Sequence, residues 1–208
     1  MKSIKLLAVF SGVLSAAVFA TPLLNLNSDS NSFQISDKVK LYAMDCGTVE
    51  VSDMRDLSDN GQYDGQSISL VNPCFLIRHP KGDLLWDTGH PDSLADNPAG
   101  EKSGVWHNKM QVKLAHQLAQ LQLKPTDVEY LALSHIHPDH SGNANMFAHA
   151  TFLVNKKERE YMFSDNIKAY FGLNYTKLEN AKTVLFDGLH DVFGDGLVTI
   201  RTLPGHTP

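Results

Sequence analysis

The most constraining feature of the chain is a short apolar segment that runs directly into a cluster of metal-binding side chains. The largely apolar run 128–133 is typical of a buried strand, and His135, His137, Asp139 and His140 follow it. In extended backbone, side chains two positions apart point the same way, so the two leading histidines can bind one cation together. The sequence therefore predicts a strand that ends in a metal site.

The residues after the two leading histidines favour a second cation beside the first. Asp139 and His140 come one turn later, where Pro138 and the small pair 141–142 are typical of a loop that enters a helix. There they can face a second ion. Two ions close together can activate a bridging water, so the pattern predicts a dinuclear hydrolase.

Strand and helix patterns alternate only loosely along the rest of the chain, which predicts a mixed α/β fold with sheets covered by helices. Two apolar runs flank the turn 79–82 and predict a hairpin. The polar stretches 52–66 and 88–107 predict long surface loops that wall the substrate pocket. We expect strands at 39–43, 74–78, 83–87, 128–133, 152–154, 184–186 and 197–203, and helices at 110–121 and 156–163.

The first twenty residues have the pattern of a secretory signal peptide. Lys2 and Lys5 precede an apolar run, Leu6 to Phe19, and Ala20 ends the segment at a suitable cleavage position. An uncleaved membrane anchor is the alternative, although a span needs about 20 apolar residues. We predict a signal peptide at 1–20, a flexible lead at 21–38 and one domain at 39–208. We therefore expect a periplasmic or secreted protein that has no stable membrane association.

The net charge limits the possible partners, and the two cysteines leave two alternatives open. Removal of Lys2 and Lys5 leaves 16 basic against 23 acidic residues, a net charge of −7. Such a chain repels phosphate backbones, so we expect no nucleic acid and a small-molecule substrate. Export would allow Cys46 and Cys74 to form a disulfide, and two buried free thiols are the alternative.

The His-x-His-x-Asp-His cluster at a strand end resembles the metallo-β-lactamase superfamily. Asp87-Thr88-Gly89 resembles its upstream motif, and Leu203 to Pro208 resembles the next metal-binding motif, which carries a third histidine. The resemblance implies an αβ/βα sandwich. Residues 41–47 and 87–91 are most similar to the N-acyl homoserine lactonases, which implies that the enzyme opens the lactone ring of these signalling molecules.

The resemblance also implies a set of ligands. His135, His137 and His206 would hold the first divalent ion, and Asp139 and His140 would belong to the second. A hydroxide bridging two ions, expected to be Zn²⁺ with iron or manganese as alternatives, would attack the lactone carbonyl. Asp139 is the candidate catalytic residue as well as a ligand. Asp87 would orient a ligand by hydrogen bonding, whereas His90 is expected to be structural and Asp45 has no assigned role.

The chain departs from the family after the third histidine. The family continues with an aspartate that bridges both ions, a tyrosine and a final histidine, and none of these follows Pro208. We therefore expect the sandwich to be incomplete in these 208 residues and activity to belong to a longer protein. The alternatives are a β-lactamase, another lactonase or esterase, or an inactive metal-binding remnant. The β-lactamase subclasses that need a cysteine ligand after the histidine cluster are disfavoured, because no cysteine follows it.

Overall fold

The structure of the protein is a computed structural model that describes residues 39–208, so the predicted signal peptide and flexible lead lie outside the described residues. The longest α-helices in this range have seven residues, and none could cross a membrane. The strands are β1 (Lys40–Val51), β2 (Ile68–His79), β3 (Gly82–Trp86), β4 (Glu101–Ser103), β5 (Trp106–Lys109), β6 (Tyr130–Ala132), β7 (Thr151–Asn155), β8 (Thr183–Phe186), β9 (Leu189–Asp191) and β10 (Thr199–Arg201). The α-helices are α1 (Leu114–Gln120), α2 (Pro138–Ser141), α3 (Lys156–Met162) and α4 (Asp165–Phe171).

One large mixed sheet organises the domain. Its eight strands lie in the order β4-β5-β1-β2-β3-β6-β7-β8, and β9 and β10 form a separate two-stranded sheet. The first half is antiparallel, whereas β3, β6, β7 and β8 are parallel. Parallel neighbours require crossover connections, which carry the helices between β6 and β8. The predicted mixed α/β fold is confirmed.

The central strands are covered on both faces. In β6, Leu131 belongs to the larger apolar core whereas Ala132 joins a smaller cluster on the other side, and Phe152 and Leu153 of β7 divide in the same way. Side chains of α1 and α3 contribute to the larger core, and β10 contributes to the smaller one. The strand ends, rather than the strand faces, are therefore the places where polar groups can gather.

Several elements that the sequence predicts are present in the structure. The hairpin is present, with His79 opposite Gly82 in the register of β2 and β3. Strands β7, β8 and β10 and helix α3 occupy the predicted segments. Strand β1 is longer than expected because it continues through a register shift to Val51. Strand β9 and helix α4 were not predicted.

Two expectations were wrong. The stretch Thr88–His107 is not one long loop, because it contains a 3-10 helix and strands β4 and β5. Strand β5 forms backbone hydrogen bonds with β1, and the local sequence pattern does not indicate this pairing. The helix expected from Met110 begins at Leu114, because the distant Asp92 carboxylate accepts hydrogen bonds from Leu114 N (2.7 Å) and Ala115 N (3.3 Å).

Candidate metal centre

The predicted cluster lies at the carboxyl end of β6, between two other parallel strands of the sheet. A short segment without regular secondary structure carries His135 and His137 beyond the strand, and their ring centroids are 4.7 Å apart. Helix α2 then begins at Pro138, whose fixed φ suits the first helical position. The carboxyl ends of parallel strands are the usual place for ligands in open α/β sheets, and the cluster occupies this place.

His206 completes a group of three histidines. Its Nε2 lies 3.0 Å from His137 Nδ1, and its ring centroid is 4.5 Å from that of His135. One ring nitrogen from each of the three side chains lies within 4.8 Å of the other two. The structure thus brings together His206 and the two leading histidines across a long sequence separation. Three imidazole nitrogens this close together are a donor set that fits Zn²⁺ or a similar ion.

The protonation states of His135 and His137 favour metal binding. Burial, together with repulsion from neighbouring histidines, lowers the pKa of His135 to about 3. Burial and the neighbouring His206 also lower the pKa of His137. Because a histidine must be neutral to offer its lone pair, both side chains are ready to bind a cation at neutral pH.

Asp139 and His140 form a second polar pair beside the three histidines. His140 Nε2 lies 3.3 Å from Asp139 Oδ2, and the His140 ring centroid is 4.1 Å from that of His135. Burial opposes charge on both, but hydrogen bonding and attraction from His140 hold the pKa of Asp139 at about 2. Hydrogen bonds to Asp139 and Asp87 likewise raise the pKa of His140 to about 10. Without metal, the pair is therefore a carboxylate and an imidazolium.

Asp87 orients the imidazole ring of His140 by hydrogen bonding to its Nδ1. Its Oδ2 lies 2.9 Å from His140 Nδ1 and accepts a hydrogen bond from Ser134 Oγ at 2.9 Å. Its Oδ1 accepts a hydrogen bond from Ser134 N at 2.6 Å. The carboxylate thereby engages Nδ1 and leaves Nε2 directed to the Asp139 side. This is the geometry that a supporting residue of a metal site requires.

The loop that carries Asp87 is packed against α2. Thr88 N and Oγ1 donate to His140 O at 2.7 and 3.0 Å, and Gly142 N donates to Gly89 O at 2.8 Å. A Cβ atom on Gly142 would lie 2.3 Å from Pro91 N, and one on Gly89 would lie 2.3 Å from Cys46 Cβ. The close approach of loop and helix therefore requires glycine at both positions.

Cys46 and Cys74 form a disulfide between β1 and β2, with Cα atoms 5.7 Å apart. This settles the choice between a disulfide and free thiols. Both half-cystines are fully buried, and Gly89 packs directly on Cys46. The cross-link therefore lies beneath the loop that positions Asp87.

The histidines without an assigned role either contact other parts of the protein or lie exposed. Their contacts are His79 with Asp195 at 2.9 Å, His107 with Glu50 at 3.0 Å, His149 with Val128 O at 3.2 Å and His190 stacked on Phe186, whereas His116 is exposed. His90 is buried next to the cluster, and its Nε2 has no hydrogen-bond partner within residues 39–208. The exposed Asp45 accepts a hydrogen bond from Gly47 N and so closes the bulge in β1.

Two polar residues near the centre were missed from the sequence. Ser134 links Asp87 to the histidine segment, and its position directly before His135 was the available signal. Glu158 of α3 is buried, and burial raises its pKa. Nothing in its local sequence separates it from the neighbouring surface charges of the same helix.

The cluster, the supporting loop and the third histidine occur in the order typical of one protein family. The family model of the metallo-β-lactamase superfamily matches residues 70–208. The chain belongs to the metallo-β-lactamase superfamily. It is therefore a metal-dependent hydrolase by class, and the expected fold is confirmed.

Relatives within the superfamily are similar over most of the chain. The N-acyl homoserine lactonase AttM of Agrobacterium fabrum is 31% identical over 185 residues, which cover 82% of this chain and 68% of AttM. An N-acyl homoserine lactonase of a Bacillus species is 27% identical over 150 residues, or 69% of this chain and 58% of the relative. The predicted resemblance to lactonases is confirmed.

Solved structures give the same result. The structure of B. thuringiensis AiiA with N-decanoyl-L-homoserine at its active site has a TM-score of 0.64 and 25% identity, covering 81% of this chain and 67% of AiiA. An N-acyl homoserine lactone hydrolase with N-hexanoyl-L-homoserine at its catalytic metal centre has the same TM-score, identity and coverage.

Proposed function

We propose that this superfamily member opens the lactone ring of N-acyl homoserine lactones, using two divalent cations that we expect to be Zn²⁺. The observation that carries the proposal is the convergence of His135, His137 and His206 beside the Asp139–His140 pair. Similarity to N-acyl homoserine lactonases over 82% of the chain supports the substrate class.

The residues divide between two cations. His135, His137 and His206 would hold the first, and Asp139 and His140 would contribute to the second. When bound, such ions lower the pKa of water and polarise a carbonyl oxygen, which are the two requirements of hydrolysis without a side-chain nucleophile. Asp139 is a carboxylate at neutral pH because its pKa is about 2. It can therefore serve as a ligand and also accept a hydrogen bond from a reacting water, the catalytic role that we assign to it.

An apolar surface beside the histidines supports an acyl substrate. The ring of the half-buried Phe171 lies 5.5 Å from His137 and packs edge-on against Tyr170 at 4.5 Å. Tyr170 and Leu173 are 80% and 89% exposed. The Asn145 side chain donates to Leu173 O at 2.7 Å and so ties this segment to the residues after α2. An apolar segment that contacts the polar centre through Phe171 suits a ligand with a polar head and an acyl tail.

We also propose that the protein is exported to the periplasm or secreted. The amino-terminal sequence pattern motivates this proposal, and the disulfide between Cys46 and Cys74 supports it, because disulfides persist in oxidising compartments. Fractionation of the native host, followed by detection of the protein with an antibody, tests the proposal. Recovery in the cytoplasm with reduced cysteines would overturn it.

The substrate proposal is tested by measuring kcat/KM for an N-acyl homoserine lactone and for a cephalosporin on the same zinc-loaded preparation. We expect the lactone to be preferred. A tenfold preference for the β-lactam, about 1.4 kcal/mol in the barrier, would overturn the substrate and leave the metal-dependent hydrolase intact. The variants His135→Ala and His137→Ala should lose most bound zinc and nearly all turnover. The exposed His116→Ala provides the matched control and should retain both.

A further inference from the structure

A single buried carboxylate contacts both segments that carry the three clustered histidines. Glu158 lies on α3 and is only 6% exposed. Its Oε1 accepts a hydrogen bond from Ile136 N at 2.9 Å, and its Oε2 accepts one from Thr207 Oγ1 at 2.6 Å. Ile136 separates His135 from His137, and Thr207 directly follows His206.

The first of these segments is held from several sides. Ile136 is fully buried, and its carbonyl oxygen accepts a hydrogen bond from Ser141 Oγ at 2.8 Å, whereas its N–H donates to Glu158. Both backbone polar groups of Ile136 are therefore satisfied inside the protein. They belong to the two peptide units that join Ile136 to His135 and to His137, so neither unit can rotate freely, and the directions of the two histidines are restricted.

The second segment has few other attachments. Leu203, Pro204, Gly205 and His206 are exposed, and Gly205 N donates within the segment to Thr207 O. Among the hydrogen bonds of residues 39–208, side chains link 203–208 to the rest of the protein only through His206–His137 and Thr207–Glu158. The contact between the two histidines cannot hold the segment when a metal ion occupies their nitrogens. The bond from Thr207 to Glu158 is compatible with a bound ion.

We propose that Glu158 is a positioning residue that aligns His206 with His135 and His137 by holding Thr207 and the Ile136 peptide on one carboxylate. The inference rests on the proposed metal-binding function, because alignment of the three side chains matters for a shared ion. It assigns Glu158 a role through its neighbours and not by contact with the ion. Partners behind direct ligands typically change metal affinity by about 10- to 100-fold when they are lost.

Three substitutions separate this role from simple packing. Glu158→Gln keeps an oxygen acceptor for Ile136 N and offers an N–H to Thr207 Oγ1, so both contacts can persist. Glu158→Met fills a similar volume and offers no comparable hydrogen-bond acceptor. Thr207→Val replaces the hydroxyl by a methyl group of similar size and leaves Glu158 in place. A packing role would make the Thr207 variant silent, whereas a positioning role would not.

The experiment combines two measurements on the 208-residue chain. The first is the nuclear Overhauser effect between ring protons of His137 and His206 in metal-free protein. The second is the Kd for Zn²⁺. We expect Glu158→Gln to retain the ring contact and a Kd within about threefold of the parent. We expect Thr207→Val and Glu158→Met to lose the ring contact and to weaken zinc binding about tenfold or more.

Retention of the ring contact and of the parent Kd in Thr207→Val would overturn the proposal. Because that variant changes a partly exposed residue, its result decides the matter even if Glu158→Met fails to fold. The metal-free measurement also separates this inference from the proposed function. If the parent chain had no lactonase activity, loss of the ring contact in Thr207→Val would still support the positioning role of Glu158. If the parent chain were an active lactonase, an unchanged ring contact in Thr207→Val would still contradict that role.

Discussion

His140 Nδ1 lies 2.9 Å from Oδ2 of Asp87, a residue 53 positions earlier in the chain. Asp87 is 4% exposed and has a positive φ of 61°, a conformation that is uncommon for a residue other than glycine. The same carboxylate accepts two hydrogen bonds from Ser134. These contacts hold the imidazole so that its Nε2 faces the side where Asp139 lies.

Substitution of Asp87 by asparagine should impair the second cation site. Oδ1 can keep its bond from Ser134 N, but an amide N–H would then face His140 Nδ1 and make that nitrogen an acceptor. The proton would move to Nε2, which could no longer bind a metal. We expect zinc content to fall from two ions towards one, measured by elemental analysis, with the tautomer followed by ¹⁵N NMR. The control Asp195→Asn, which alters the contact between His79 and Asp195, should leave zinc content unchanged. Two tightly bound ions in Asp87→Asn would contradict the assignment.

Proton release should distinguish the two cations. The pKa of His140 is raised to about 10 without metal, so at pH 7.5 an ion at Nε2 must displace a proton. The pKa of His135 is about 3, so this ligand of the first ion releases none. We expect His140 to supply nearly one proton per second Zn²⁺, in addition to the proton lost by metal-bound water, measured by titration calorimetry in buffers of different ionisation enthalpy. Affinity for that ion should therefore rise at least about tenfold per pH unit while His140 is protonated in the metal-free protein.

The shifted pKa values of His140 and Asp139 predict how the stability of the metal-free protein depends on pH. The raised pKa of His140 contributes stability that is complete below its unfolded value of 6.5 and is lost as the pH rises towards 10. The lowered pKa of Asp139 contributes stability above 3.8 that is lost as the pH falls towards 2. In His140→Gln, the proton supplied by His140 and the alkaline loss of stability should both disappear. Unchanged release in that variant would show that another group supplies the proton.

Gly142→Ala should disrupt the packing of α2 on the Asp87 loop. The added Cβ would lie 2.3 Å from Pro91 N and 2.4 Å from Gly89 O, and these backbone atoms cannot move independently. We expect a loss of about 2 kcal/mol in unfolding free energy and weaker zinc binding. Gly172→Ala is a matched control, because both glycines have right-handed helical dihedrals and the Cβ at 172 would meet only side-chain atoms at 3.0 Å. Urea denaturation compares them, and equal effects would contradict the packing argument.

Phe171→Ala should change preference for acyl-chain length. Its ring lies beside His137 and extends the apolar surface towards Tyr170, so its removal should weaken contacts with long acyl chains more than with short ones. We expect KM for a decanoyl lactone to rise about tenfold, about 1.4 kcal/mol, and KM for a butanoyl lactone to change little. Leu185→Ala, an exposed apolar residue on β8, is the control. An equal rise for both lactones would place the acyl chain elsewhere.

Local residue patterns were sufficient for the central part of the candidate site. His135 and His137 lie two apart shortly after a strand, and Pro138 begins a helix, so their grouping with Asp139 and His140 follows from short-range geometry. The hairpin of β2 and β3 likewise depends on turn residues between two apolar runs. Such features need only the conformational preferences of neighbouring residues.

Long-range contacts determined the remaining features. The family motif indicated His206, but its distance of 3.0 Å from His137 depends on how β10 returns to the site. The pairing of Cys46 with Cys74 depends on the register of β1 and β2, and part of the expected loop 88–107 became β5 because β1 offered an edge for pairing. Glu158 became a buried link because Ile136 N and Thr207 Oγ1 surround it. Each of these outcomes requires partners distant in sequence, whose approach depends on the packing free energy of the whole domain and not on local preference.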